Sequence, residues 1–109
     1  MVNRGLVIAT AKEPFREWLL SLPEPWDVPL EEINKDRTAY LIPEFEDDDQ
    51  RDRILRKFFI SIFEDHLADW WTKEEDWPPK RDLRTFRKWF DLQFHAVVED
   101  LVDEELFDE

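Results

Sequence analysis

The chain has no cysteine among its 109 residues. That excludes disulfides, thiol nucleophiles and zinc sites built from thiolates. It has a single glycine, Gly5. A glycine-rich phosphate loop therefore cannot be built, and neither can a calcium loop of the EF-hand kind, whose sharp turn needs a glycine. The serines are Ser21 and Ser61. Both fall in helical patterns, where no tight strand-to-helix turn would present a hydroxyl for attack. No run nears the roughly 18 apolar residues of a membrane span. The short apolar stretch at residues 6–9 follows no basic segment of any size and is too brief for a secretory leader. A cytoplasmic location is the expectation.

Acids dominate what is present. Aspartate and glutamate number 28 against 15 lysines and arginines, for a formal net charge of -13. Affinity for nucleic acid comes largely from basic side chains at phosphates, so nucleic acid is not an expected partner. An anionic membrane surface is disfavoured for the same reason. A basic protein partner, metal cations or solubility alone fit the charge. Nine phenylalanines and six tryptophans argue for a packed core rather than a disordered chain. The length suits one domain spanning residues 1–109, with a frayed tail at residues 106–109.

Hydrophobic spacing outlines an α+β fold. Leu6, Val7, Ile8, Ala9 and Thr10 read as a strand. Thr10 and Glu13 have capping-box spacing, and Pro14 fits a first helical turn. Phe15, Trp18, Leu19 and Leu22 then recur at helical spacing, for a short helix over about residues 12–22. Pro23 and Pro25 end it. A loop with Trp26, Val28 and Ile33 as core anchors leads to a second strand at residues 38–42, closed by Pro43. Asp48 or Asp49 would cap a long helix over about residues 50–71, striped by Leu55, Phe58, Phe59, Ile62, Phe63, Leu67 and Trp70. Asp82 would cap a second long helix, carrying Leu83, Phe86, Trp89, Phe90, Phe94, Val97, Val98, Leu101 and Val102 to about residue 105.

Each long helix starts basic and ends acidic, against its dipole. Antiparallel packing would set the basic start of one beside the acidic end of the other. The expected architecture is thus an antiparallel long-helix pair and a short helix, packed with a small two-stranded sheet. The two strands must lie on the helices or pair across a dimer axis. Their relative direction is not fixed by the pattern.

The order of strand, short helix, Trp/Pro loop, Ala39-Tyr40-Leu41-Ile42-Pro43-Glu44, long helix with Trp70-Trp71, then Trp77-Pro78-Pro79 resembles a family of small uncharacterised bacterial proteins. The resemblance implies a bacterial origin and a domain of unknown function. It implies no residue roles.

Two constellations stand out. Trp70 and Trp71 point about 100° apart on a helix, so both are covered only if the helix end is closed on two sides. Trp26, Trp77 and Pro78-Pro79 supply candidates for that cover. Trp70, Trp71 and Trp77, rimmed by Glu74 and Glu75, form a candidate interaction surface, since tryptophan concentrates interface energy. Secondly, Asp91, His95 and Glu99 would line one strip of the last helix, facing His66 and Asp69 across the pair. These five are the candidate ligands for a divalent metal. The Glu-x-x-His pattern of di-metal bundles is absent, and the plainer expectation is a pair of histidines bonded to nearby carboxylates, with no cofactor. The working function is a non-catalytic interaction domain for a basic protein or for itself. The alternatives are a metal-dependent or carboxylate enzyme using His66 and His95, and a purely structural homodimer subunit.

Overall fold

Residues 3–102 are described by the structure, a computed structural model. Its elements, in chain order, are β1 (Gly5–Ala11), α1 (Glu13–Ser21), α2 (Leu30–Ile33), β2 (Ala39–Ile42), α3 (Asp48–Trp70), a 3-10 turn (Glu74–Asp76), α4 (Leu83–Trp89) and β3 (Phe90–His95). The fold is α+β, with helices packed on one face of an antiparallel sheet of order β2-β1-β3.

β1 organises the sheet. Gly5, Val7, Ala9 and Ala11 are buried, while Leu6, Ile8 and Thr10 alternate onto the other face, half-buried. It pairs with β2 from Gly5↔Ile42 to Ile8↔Ala39, and with β3 from Leu6↔His95 to Ala11↔Phe90. The register sets Val7 between Tyr40 and Phe94 on the helix side. On the outer side, Leu6 lies beside Leu41, which is 62% exposed.

The sheet therefore has three strands where the sequence suggests two, and the second long helix is absent. Phe86, Trp89, Phe90 and Phe94 do fit a helical period. Phe90, Leu92 and Phe94 also alternate with Asp91, Gln93 and His95, which is the period of a half-buried strand. The strand prevails because β1 has a second edge to satisfy and because Phe90, Leu92 and Phe94 can share the core face with Ala11, Ala9 and Val7. α4 thus ends after two turns and passes directly into β3. Residues 96–102 have no regular structure, and the expected helix end and frayed tail at residues 103–109 lie outside the described residues. What survives of the charge argument is local. Arg81 meets Glu64 at 3.4 Å and Arg87 meets Asp52 at 3.7 Å, so α4 and α3 run in opposite senses.

The caps are partly displaced from their expected positions. Thr10 belongs to β1, and Lys12 is the α1 N-cap without a side-chain bond. Asp47, rather than Asp48 or Asp49, caps α3 by accepting from the Gln50 N–H at 2.8 Å. The Gln50 side chain reaches back to accept from the Glu46 N–H at 2.7 Å. Asp82 caps α4 as expected, accepting from the Thr85 N–H at 2.8 Å. Its hydrogen bonds from the Thr85 side chain and backbone hold its carboxyl below the usual range.

The core joins Phe15, Trp18 and Leu19 of α1, Leu55, Ile62, Phe63 and Leu67 of α3, Phe86 of α4 and Phe90 of β3 to the inner face of β1. Asn34, after α2, ties the loop to the sheet. Its side chain donates to the Ala11 carbonyl at 2.9 Å and accepts from the Ala11 N–H at 2.8 Å, completing the hydrogen bonding at the end of β1.

Gly5 is required by close approach. A Cβ there would stand 2.7 Å from the Phe45 ring, which is itself set edge-on to Phe94 at 6.0 Å. Gly5→Ala is expected to destabilise the fold by about 1–3 kcal/mol, as overpacking does. Urea denaturation would measure it, and an unchanged midpoint would contradict the assigned packing.

Candidate functional site

The end of α3 brings the tryptophans together, in two groups. In the first, the Trp71 indole N–H donates to Asp76 Oδ2 at 3.0 Å, and the Trp71 carbonyl accepts from the Trp77 indole at 2.7 Å. Trp18 donates to the Asp76 carbonyl at 3.0 Å. Trp77 is buried, 8% exposed. Arg81 stacks over Trp77 and Lys73 over Trp71, both at 5.7 Å. Trp71 and Trp77 thus close the α3–α4 connection, with every indole N–H bonded and a cation already on each ring. Glu74 and Glu75 lie exposed on the 3-10 turn beside them.

The second group is open. Trp26 is 42% exposed and packs edge-on to Trp70 at 5.5 Å. Its backbone N–H donates to the Leu19 carbonyl at 3.0 Å, which fixes the loop between Pro25 and Pro29 against α1. Among the described residues no cation stacks on Trp26. The pair overlooks a hollow of about 430 Å³ lined by Trp26, Trp70, Asp69, His66, Ala9 and the 32–38 segment. A smaller hollow of about 270 Å³ lies on the other side of Trp70, reached by Glu24, Asp69, Trp71 and Lys73. Asp69 and Trp70 line both, so Trp70 forms the ridge between them.

At His66, which lines the larger hollow, Tyr40 of β2 meets α3. Its hydroxyl lies 2.6 Å from Asp65 Oδ2 and 3.1 Å from His66 Nδ1. His66 Nδ1 also lies 3.0 Å from the Ile62 carbonyl. Burial, then the hydrogen bond to Asp65, push the Tyr40 hydroxyl far above its ordinary range. It is therefore a neutral phenol that donates to Asp65. Its oxygen and the Ile62 carbonyl can only accept from Nδ1, so the bonding network assigns a proton to Nδ1. The His66 ring is held edge-on by Phe90 at 4.9 Å.

The five expected metal ligands are dispersed. His66 and Asp69, one helical turn apart, share the hollow. Asp91 and His95 lie instead on β3, opposite Thr10 and Leu6 on the outer face of the sheet. They lie four steps apart along the strand, about 13 Å. The strip on a second long helix does not exist, because residues 90–95 are a strand. Glu99 lies past the end of β3. Among the described residues no group of three or more His, Asp or Glu side chains is placed to hold a metal ion.

Sequence reasoning passed over Trp26 as a loop anchor, yet one signal was present: a tryptophan held between Pro25 and Pro29 in an acidic loop. The meeting of Tyr40 with Asp65 and His66 has no such signal, since only the β2–α3 packing creates it. No protein-family model matches the chain, and no curated protein or solved structure matches it either. No helix among the described residues is long and apolar enough to cross a membrane.

Proposed function

We propose that this protein is a non-catalytic interaction domain that receives a basic segment of a protein partner at Trp26 and Trp70. The observation that carries the reading is the uncovered Trp26 ring, 42% exposed and braced by Trp70 at 5.5 Å, at the mouth of a hollow with carboxylates on its walls. An aromatic face left in water attracts a guanidinium or ammonium, most strongly when that cation is partly desolvated. Arg81 and Lys73 already fill that role on Trp77 and Trp71. Trp26 offers the equivalent face to an outside cation, with the carboxylates of Asp69, Glu32 and Asp36 in the same hollow. Lys35 and Arg37 line it too, through the 32–38 segment, and repel a second cation, which fixes how a basic segment lies. The net charge of -13 speeds the encounter.

Relative to the surface suggested by sequence, Trp70 is kept, Trp26 takes the place of Trp71 and Trp77, and the acidic rim moves from Glu74 and Glu75 to Asp69, Glu24 and Glu32. The probe is a short arginine-rich peptide titrated against tryptophan fluorescence. Trp26→Ala should weaken binding about tenfold, the value of one good cation–π contact. Asp69→Asn should weaken it further, and an oligoglutamate of equal length should not bind. Equal affinity of wild type and Trp26→Ala for the arginine peptide would refute this placement of the site.

A further inference from the structure

The two edges of the sheet are built differently. β2 has four residues and is closed at once by Pro43, which cannot donate to a further strand. β3 has six residues, with no proline and no lysine among them. Its inner side chains are Phe90, Leu92 and Phe94, and its outer side chains, Asp91, Gln93 and His95, are exposed. Among the described residues β1 is its sole strand partner, so the far edge of β3 has its backbone donors and acceptors open to another strand.

The sequence of β3 suits one strand in particular, namely itself. Antiparallel pairing about a two-fold axis must keep core-side residues opposite core-side residues, which restricts the register to even sums. With the axis at Gln93, Asp91 stands opposite His95 of the second copy and His95 opposite its Asp91. Leu92 stands opposite Phe94, twice, on the core side. Moving the axis to Leu92 sets Asp91 opposite Gln93, and moving it to Phe94 sets His95 opposite Gln93. Only the Gln93 axis pairs acid with base on the outer face, and by symmetry it does so twice.

We infer that β3 is a self-association edge: two copies of this chain join β3 to β3 about Gln93, giving a six-stranded antiparallel sheet of order β2-β1-β3-β3-β1-β2. The helices of both copies lie on one face of the joined sheet, and the apolar outer stripe of Leu6, Ile8 and Leu41 repeats on the other. The surface is separate from the Trp26 hollow, so a dimer presents two such hollows. The net charge of -13 per copy opposes the association at long range. Salt screens that repulsion more than it affects backbone pairing, so the dimer tightens as ionic strength rises.

Sedimentation equilibrium of the full chain over a concentration series tests this. The expected result is a reversible monomer–dimer system. Gln93→Lys places two ammonium groups opposite each other at the axis and should weaken the dimer at least about tenfold. Asp91→Lys should weaken it as well. The double variant Asp91→Lys with His95→Asp restores opposite charges and should recover the dimer. All three positions are exposed, and far-UV circular dichroism of the monomers should match wild type. A wild-type chain that stays monomeric at its highest soluble concentration overturns the inference. So does a dimer indifferent to Gln93→Lys, or a charge swap that fails to rescue.

Discussion

Phe63→Ala is expected to destabilise the protein by about 3–5 kcal/mol, the range for removing a fully buried aromatic ring. Phe63 has no exposed surface. Its ring centre lies 5.6 Å from Phe86, 5.4 Å from Trp89 and 5.6 Å from Phe90. One side chain of α3 thereby binds α4 and the start of β3. Because these rings brace one another, little collapse into the vacated space is expected, and the cost should sit at the upper end. A domain of this size is stable by about 5–15 kcal/mol in total, so the variant stands near the threshold of unfolding. Denaturant titration should show a large fall in midpoint with the slope retained. A loss below about 1 kcal/mol would mean that the aromatic cluster is not the core.

The second large effect is spectroscopic. Tyr40 is the only tyrosine in the chain, so phenolate absorbance reports one site. In the folded protein the absorbance should stay flat as pH passes the ordinary tyrosine value of 10.0, and then appear together with unfolding. The direction follows from linkage. The folded state binds the proton more tightly than the unfolded state, so the associated stability is fully present below about pH 10 and declines as pH rises through and beyond it. The ceiling is about 1.4 kcal/mol per pH unit for one proton. The ring is only half-buried, so solvent screening holds the realised slope to a fraction of that. Tyr40→Phe should remove the alkaline slope while leaving the neutral-pH fold in place. Ordinary titration of Tyr40 near pH 10 in the folded state would show that the bond to Asp65 is not formed in solution.

Legibility in the sequence followed the uniqueness of the local pattern. α3 was legible because Leu55, Phe59, Ile62, Phe63 and Leu67 fit a helical period and no other. β1 was legible because its apolar residues form a short run bounded by polar ones. Residues 86–94 carried two periods at once, with Phe86, Phe90 and Phe94 common to both. Only a long-range fact, the unpaired second edge of β1, decides between them. The same holds for the site. Trp70 and Asp69 could be named from the chain, as could Trp71 and Trp77, but which tryptophans are satisfied depends on partners elsewhere. Asp76, reached by Trp71 and Trp18, turns the 3-10 turn into a closure and leaves Trp26 as the open ring. Tyr40, Asp65 and His66 meet only because β2 lies over α3, an arrangement no local spacing encodes.

The position of β1 has a consequence for how the chain folds. The central strand is made first, β2 follows some thirty residues later, and β3 is made close to ninety residues after β1 begins. At synthesis rates of about 5–20 residues per second, β1 waits several seconds or more for its second neighbour. During that interval the backbone donors and acceptors on the β3 side of β1 have no native partner. Pairings this distant in sequence also slow the search for the native state, since chain entropy is lost before they form. The nascent chain is thus most prone to mispairing and to capture by chaperones before β3 emerges, and a lesion that delays β3 should reduce the yield of folded protein more than its effect on final stability would suggest.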